Sequence, residues 1–296
     1  LIIQIMTTKF IPKTWMFGVF AALLAVFGIG SFYDFQIASA VYAKDTLWAS
    51  IVSLFGMAPI YWCLLVSGLS MAVLVKRNHL WQKGLLTLLG LAISAYAVYD
   101  PMKYAIQSDV SLTAAFAAVV LFVAVPSAGI VWLLRHTPQK QLWQVILFLL
   151  VTALCSYKTV SFLKEAVHRP RPVALFDEKS LFFQPWWMIT GENIVRSSQA
   201  VQEPDLFLSF PSSTTSAAAC AFCFVCLPMY VKKLEGSRNW LFAGAAGYTI
   251  LIAAARMVLG KHFLTDVVSG AMFTLLFFTL FYCITVNQYK KLSVSL

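Results

Sequence analysis

Long apolar runs separated by short polar segments dominate the pattern of this chain. Eight runs are long enough to cross about 30 Å of hydrocarbon as helices, and they lie at 14–32, 56–75, 84–104, 113–134, 142–163, 213–231, 240–259 and 264–287. The segment 33–55, which contains Asp34, is too polar to span and is predicted to lie along the membrane interface. The pattern therefore predicts an all-α, polytopic membrane protein with about eight transmembrane helices.

The composition supports this class of protein. Of the 296 residues, 60% are hydrophobic and only 11% are charged, and the mean hydropathy is +0.79. Soluble domains carry about 25% charged residues, so this chain has too few charges to cover a water-soluble surface. The net charge of +10 does not indicate a nucleic-acid partner, because the basic residues form short clusters between apolar runs.

The basic clusters predict the orientation of the chain. With the N-terminus inside the cell, cytoplasmic segments contain 12 of the 22 Lys and Arg residues, namely Lys9, Lys13, Lys76, Arg77, Lys83, Arg135, Lys140, Lys232, Lys233, Arg238, Lys290 and Lys291. The connections on the other side before residue 158 hold only Lys44 and Lys103. The positive-inside rule then predicts that both termini are cytoplasmic in a bacterial-type inner membrane.

Three polar strings follow or precede apolar runs on the outer side of this topology. They are KEAVHRPRP at 164–172, FPSSTTS at 210–216 and ARMVLGKHFLTD at 255–266. Their basic residues depart from the positive-inside pattern, and charges at membrane depth are costly unless they serve a function. Each string alone is often a helix cap or an interfacial anchor, but the three together indicate a site for an anion.

The side chains of these strings suit phosphate chemistry. Lys164 and two guanidinium groups can surround the oxygens of a phosphoryl group. Residues 212–215 would offer hydroxyls and unpaired N–H groups at a helix start. His262 and Asp266 are four residues apart, so the carboxylate can hold one ring nitrogen while the other attacks phosphorus. The CxxCxxC pattern at 220–226, inside an apolar run, favours packing residues over a metal site.

The strings resemble the signature of the type 2 phosphatidic acid phosphatase (PAP2) family, which reads KxxxxxxRP, PSGH and SRxxxxxHxxxD. The resemblance covers about residues 143–287 and implies a catalytic core there, with N-terminal membrane helices in 1–142 and a cytoplasmic tail in 288–296. It implies that phosphate is bound by Lys164, Arg171, Ser212, Ser213 and Arg256. It also implies that His262 is the nucleophile, forming a phosphohistidine, that Asp266 orients it, and that no cofactor is needed. The family core usually has six spans, so 84–104 and 113–134 are additional helices without an assigned role.

The second string departs from the family pattern at two positions. Ser213 replaces glycine, and Thr214 replaces the histidine that acts as the general acid in the family. Threonine has no usable pKa near neutrality and cannot protonate a leaving group. Three interpretations follow: an altered or inactivated form, a pseudoenzyme that binds phospholipid head groups, or an enzyme whose leaving group needs no acid. His168, with Arg169 beside it, is an alternative source of the proton. In the third string, Ala255 replaces serine, a minor change.

The long loop 173–210 is acidic and aromatic. Its charged residues give a net −3, and its aromatic residues Phe182, Phe183, Trp186 and Trp187 suit a membrane interface. The acidic character would suit a head group that also carries a cation, although charges that only face water are an equal interpretation.

The expected function is hydrolysis of a lipid phosphate on the extracytoplasmic face. The expected substrates are undecaprenyl diphosphate, or a lipid of the phosphatidylglycerol-phosphate or phosphatidate type. The alternatives are a phosphotransferase that passes phosphate from a lipid diphosphate to a lipid such as lipid A, and a non-catalytic phospholipid binder or transporter. The expected partners are the lipid substrate and the bilayer, and the oligomeric state stays open.

Overall fold

The computed structural model describes residues 10–77, 79–107, 111–177, 182–188 and 204–294, and regular structure within these ranges is entirely helical. The α-helices are α1 (Lys13–Val41), α2 (Leu47–Leu54), α3 (Ala58–Leu69), α4 (Leu80–Gln107), α5 (Leu112–Val119), α6 (Val125–Leu134), α7 (Gln139–Val167), α8 (Pro172–Asp177), α9 (Ser213–Ala219), α10 (Arg238–Val258) and α11 (Leu264–Val294). A π-helical turn, Ser70–Leu74, extends α3, and another, Val120–Ala124, joins α5 to α6. This architecture confirms the prediction of an all-α polytopic membrane protein.

Among the described residues, seven helical stretches are long and apolar enough to cross a membrane. The predicted span 213–231 is not among these seven, because its helical segment, Ser213–Met229, is shorter. It consists of α9 followed by the 3₁₀ helix Cys220–Met229, and nearly all of its residues are buried. Because a 3₁₀ helix rises about 2.0 Å per residue, the segment is still about 30 Å long, close to the thickness of the hydrocarbon.

The first helix is longer than its sequence pattern predicts. Residues 33–41, predicted to begin an interfacial segment, continue α1, and residues 47–54 form the separate helix α2. The prediction was wrong at this boundary because Asp34 was counted against a spanning helix. Asp34 is buried and paired with Arg169, so its charge does not end the helix.

Helix α11 is the centre of the packing, because α1, α7 and α9 all contact it. Its crossing with α9 is very close: a Cβ atom at Gly270 would overlap the Ser212 carbonyl oxygen. Helix α3 packs against both α4 and α7. Helices from residues 1–142 and from the predicted core therefore form one packed bundle.

Helix ends bring the three polar strings to one end of this bundle. Helix α7 ends where His168 adopts a left-handed conformation (φ 50°), and the following Pro170 prevents further helix. Helix α9 begins with the N-cap Ser212. The third string forms the turn between α10 and α11, where Gly260 has φ 63° and a Cβ would overlap the Tyr42 ring. The left-handed turn and the close approach both require glycine at 260.

Part of the predicted loop is described. Phe183 packs against Phe263, and Trp186 stacks on Phe210 and donates to the Ser31 hydroxyl at 2.9 Å. Phe182 and Trp187 are exposed, as expected for interfacial aromatic residues. Some of the charged residues that give this loop its net −3 lie outside the described ranges, namely Glu178, Lys179, Glu192, Arg196 and Glu203, and so does Lys9.

Candidate active site

The first polar string is held by main-chain bonds to the segment that precedes α9. The Arg171 amide donates to the Leu206 carbonyl at 2.8 Å, and the Ser209 amide donates to the Arg169 carbonyl at 2.9 Å. These bonds place two guanidinium side chains, two residues apart, beside residues 204–209.

The third string is bonded to the other two. The Ser212 amide donates to the Asp266 carbonyl at 2.8 Å, and the Val173 amide donates to the Gly260 carbonyl at 2.8 Å. The structure therefore brings the three strings together through their backbones, although they are far apart in the sequence.

Two of the cationic residues predicted to bind phosphate contact oxygen atoms of this same segment. The Lys164 ammonium donates to the Leu208 carbonyl. Arg171 Nη2 donates to the Asp205 carboxylate at 2.9 Å, and Asp205 is largely exposed. The buried Nε of Arg171 has no hydrogen-bond partner within the described part of the chain. Arg171 thus retains donor capacity that an anion could use.

Two further cations of the third string lie nearby. Arg256 Nη1 donates to the Ser53 hydroxyl at 2.9 Å, which links the predicted core to helix α2. Burial lowers the pKa of Lys261, and the positive charges of Arg171 and Arg256 lower it further. Several cations are therefore crowded together, an arrangement that an anionic ligand would stabilise.

His262 lies in the turn before α11 and is 1% exposed. Its Nδ1 is 2.7 Å from the Ser209 carbonyl oxygen, which can only accept, so Nδ1 carries the proton and Nε2 has a free lone pair. Asp266 was predicted to hold this ring, but its Oδ2 is 3.8 Å from Nδ1, outside hydrogen-bond range. Nδ1 is within hydrogen-bond range of the Ser209 carbonyl, while Asp266 lies just beyond that range. His262 precedes α11, which begins at Leu264, so the two side chains do not share one regular helical face.

Burial lowers the pKa of His262 well below its usual range, although the nearby Asp266 carboxylate opposes this shift. The positive charges of Lys164, Arg256 and Arg171 lower the pKa further. His262 is therefore neutral at pH 7, the form in which a ring nitrogen can act as a nucleophile.

The Asp266 carboxylate is hydrogen-bonded to groups around the histidine. Oδ2 accepts from the Ser209 hydroxyl at 2.5 Å and from the Phe263 amide at 2.7 Å, and Oδ1 accepts from Arg169 Nη1 at 2.6 Å. Ser209 links Asp266 to His262, since its hydroxyl binds the carboxylate and its carbonyl binds the ring. No motif in the sequence marked this serine.

Arg169, predicted as an auxiliary residue, is completely buried. Besides Asp266, its guanidinium contacts the Thr265 hydroxyl at 2.9 Å, the Asp34 carboxylate at 3.0 Å and the Gln184 carbonyl at 2.8 Å. Its donors are thus directed at protein groups, whereas those of Arg171 face the cavity described below. The one signal that could have revealed Asp34 was its position as a lone charge inside the apolar pattern of the first helix.

The residues of the second string have two roles, because Ser212 caps helix α9 whereas Ser213 and Thr214 line the cavity. Ser212 is fully buried, and its hydroxyl accepts from the Thr215 amide at 3.3 Å. Ser213 and Thr214 line the cavity. The Thr214 methyl group lies so close to Gly56 that a Cβ there would overlap it. The residue at the family's general-acid position therefore faces the cavity, but it carries no acid.

His168, the alternative acid, forms the C-terminal cap of α7. Its amide donates to the Lys164 carbonyl at 3.1 Å. It is not among the residues that line the cavity.

A cavity of about 360 Å³ lies beside these residues. Its lining includes a cationic group, the polar end, which comprises Arg171 with its partner Asp205, Arg256 with its partner Ser53, and the residues Ser213 and Thr214. The lining also includes the apolar residues Leu54, Phe55, Met57, Ala58, Ala115, Ala118, Val119, Phe122 and Val123, and the polar residues Tyr61, Asp100, Lys103 and Tyr157. Helices α4 and α5, which had no assigned role, and the π-helical turn Val120–Ala124 therefore contribute to the lining of this cavity.

The described residues contain no group of three or more His, Cys, Asp or Glu side chains that could hold a metal ion.

No curated protein and no solved structure matches the chain. A family model described as the PAP2 superfamily matches residues 141–290, which is more than half of the chain and contains all three polar strings. Members of this superfamily are generally phosphatases, which indicates phosphatase-type activity on a phosphorylated substrate. The chain belongs to the PAP2 superfamily.

Proposed function

We propose that this protein hydrolyses a lipid diphosphate or lipid monophosphate at the outer face of a bacterial-type cytoplasmic membrane. The observation that carries the proposal is the cavity, which is lined both by Arg171 and Arg256 and by many apolar side chains. An amphiphile with an anionic phosphate head and a hydrocarbon tail matches both surfaces. The candidate substrates are an isoprenoid diphosphate and lipids of the phosphatidylglycerol-phosphate or phosphatidate type.

Phosphate binding begins at the polar end of the cavity. Arg171 and Arg256 supply guanidinium donors, and Lys164 adds positive charge. The exposed Asp205 carboxylate pairs with Arg171 in the free protein, and the incoming phosphate replaces it there. His262 does not line the cavity, but the charges of Arg171, Arg256 and Lys164 act on it, so a phosphoryl group held by these cations would have to move from the cavity to the nearby ring.

The chemical step uses the neutral ring of His262. Nε2 donates its lone pair to phosphorus, a P–N bond forms, and the P–O bond to the leaving group breaks with its electron pair on oxygen. Nδ1 keeps its proton and its bond to the Ser209 carbonyl. Water then attacks the phosphohistidine, the P–N bond breaks, and inorganic phosphate leaves.

Thr214 restricts which leaving groups can depart. An alkoxide leaving from a lipid monophosphate needs a proton, and the loss of a positioned acid costs about 10² to 10⁴ in rate. A lipid monophosphate leaving from a lipid diphosphate is already a stable anion and needs no proton. The chain should therefore favour diphosphates over monophosphates.

A second candidate function is binding without catalysis, and Thr214 is the observation that favours it. A protein with the phosphate-binding residues but without the acid could hold a phospholipid head group. The same cavity would serve as the binding site, so activity measurements must separate the two candidates.

The test is phosphate release by the purified protein in bicelles. Undecaprenyl diphosphate, phosphatidylglycerol phosphate and phosphatidate are compared, with and without lipid A as an acceptor. We expect release from the diphosphate and its loss in His262→Ala, while the exposed His79→Ala serves as the matched control. Phosphate that appears on lipid A would identify a phosphotransferase. Equal activity in His262→Ala and the parent would refute the mechanism.

The Thr214→His variant tests the missing acid. We expect it to raise monophosphate cleavage by about 10² to 10⁴ and diphosphate cleavage far less. If the parent is inactive and Thr214→His gives equal cleavage of monophosphates and diphosphates, the chain is an inactivated form of an ordinary phosphatase. If it restores neither while phosphate still binds, the protein is a non-catalytic binder.

A further inference from the structure

A carboxylate from the first helix is buried beside the candidate active site. Asp34 belongs to α1, which lies outside the region that matches the family, residues 141–290. Large apolar side chains of α1 such as Phe17, Leu24 and Phe32 are exposed, as expected for a helix that faces lipid. Asp34 is 2% exposed and, within the described part of the chain, is a buried carboxylate on this otherwise apolar stretch of the helix.

The contacts of Asp34 join α1 to the start of α11. Oδ1 accepts from the Thr265 amide at 2.9 Å, and Oδ2 accepts from the Thr265 hydroxyl and from Arg169 Nη2, the latter at 3.0 Å. The approach is close, since a Cβ at Gly30 would lie 2.9 Å from the Thr265 methyl carbon. The carboxylate therefore binds both the N-terminus of α11 and the buried guanidinium.

Arg169 stands between two carboxylates, Asp34 on one side and Asp266 on the other. The side chains of all three residues, called the buried charge cluster below, are at most 1% exposed. With both carboxylates ionised, one cation and two anions give this cluster a net negative charge. Burying such a charge is costly, and ionisable groups at membrane depth generally have a functional role.

A continuous chain of bonds leads from this cluster to the candidate nucleophile. Arg169 binds Asp266 Oδ1, the Ser209 hydroxyl binds Asp266 Oδ2, and the Ser209 carbonyl holds His262 Nδ1. A displacement of Arg169 would therefore be transmitted to the imidazole ring through Asp266 and Ser209.

We propose that Asp34 is a positioning residue for His262, so that the first helix completes a catalytic centre whose other parts lie in the PAP2 core. By sharing Arg169, Asp34 leaves the charge of Asp266 only partly neutralised and fixes where that charge lies. When Nε2 bonds to phosphorus, the ring that still carries a proton on Nδ1 becomes positively charged, and the net negative charge of the cluster stabilises it. This role rests on the proposed function.

The test is Asp34→Asn, which keeps the shape of the side chain and removes its charge. We expect kcat to fall about ten- to a hundredfold, the range for an outer residue that orients a functional side chain, with KM within about twofold. KM should stay nearly constant because Arg171 and Arg256, which line the cavity, are unchanged in this variant. Asp45→Asn is the matched control, because Asp45 is an exposed carboxylate just beyond the same helix.

The pH profile of kcat separates positioning from a structural defect. The charged groups that act on His262 are Asp266, Lys164, Arg256 and Arg171, with Arg169 and Asp34 behind Asp266. Removing the negative charge of Asp34 favours the neutral ring, so the acid limb of the profile should move to lower pH. A loss of folded protein would lower the rate equally at every pH without moving the limb.

The possible outcomes decide between the proposals. If Asp34→Asn does not fold, Thr265→Val keeps the cluster charged and removes only the hydroxyl shared by Asp34 and Arg169. Its kcat should then fall less than tenfold at constant KM. Activity of the Asp34 variant equal to that of the Asp45 control, while His262→Ala is inactive, would overturn the role of Asp34 alone. A parent protein without turnover on every lipid would overturn the proposed function and this role with it.

Discussion

The string Arg-Pro-Arg-Pro places two buried arginines among different partners. The Arg169 side chain is 0% exposed and lies between the carboxylates of Asp34 and Asp266. The Arg171 side chain is 7% exposed, but it lines a cavity and pairs with Asp205, whose side chain is 78% exposed. The comparison shows that the same residue type, two positions apart, is structural in the buried charge cluster and available to a ligand at the polar end of the cavity.

The largest expected effect is on stability, and it distinguishes the two arginines directly. Arg169→Leu leaves two carboxylates buried without their cation, which should destabilise the protein by about 3 to 5 kcal/mol. Arg171→Leu leaves only the exposed Asp205, which water can solvate, and should cost less than about 1 kcal/mol. Thermal unfolding in detergent measures both changes. Equal shifts in Tm for the two variants would contradict the comparison.

The second effect is on activity and falls mainly on Arg171. Arg171→Ala should lower kcat/KM by about ten- to a hundredfold, because a charge-assisted hydrogen bond contributes about 1.5 to 3 kcal/mol, while Tm stays close to the parent value. Arg171→Lys should recover part of the loss, since it restores the charge without the planar fork. Steady-state kinetics on the preferred lipid phosphate measures this. An unchanged KM and kcat in Arg171→Ala would remove this residue from the phosphate site.

The smallest expected effect concerns the carboxylate that Arg171 holds in the free protein. Asp205→Asn should lower KM by at most about fivefold, because an ion pair with one exposed partner contributes about 0 to 1 kcal/mol. The difference from the parent should shrink as salt is added, since exposed charges are screened. Binding of inorganic phosphate at low and high salt measures it. A higher KM in Asp205→Asn would mean that Asp205 helps to bind the substrate.

The features that could be predicted from the sequence are those determined by residues close together in the chain. Apolar runs of sufficient length identified the long helices, and the strings around Lys164, Ser212 and His262 identified the residues that helix ends gather at one end of the bundle. The family model matches residues 141–290. The helical class and the family could be predicted because each depends on neighbouring residues or on fixed spacing.

The parts that could not be predicted depend on contacts between distant segments. The boundary of α1 was wrong because Asp34 was read as a polar interruption, and only its pairing with Arg169, 135 residues away, allows it inside the bundle. The hydrogen-bond partner of His262 Nδ1 is a main-chain carbonyl, that of Ser209, and every residue has such a carbonyl. No pattern of side chains could have identified it.

The crossing at Gly270 has a mechanical consequence for the site. The Ser212 carbonyl fills the space where a side chain at 270 would lie, and the Ser212 amide is bonded to the Asp266 carbonyl. The beginning of α9 is therefore coupled to the beginning of α11. A ligand that displaces Ser212 would also displace Asp266, which binds Ser209 and through it His262. A single methyl group at position 270 would disrupt this coupling, because it would collide with the Ser212 carbonyl.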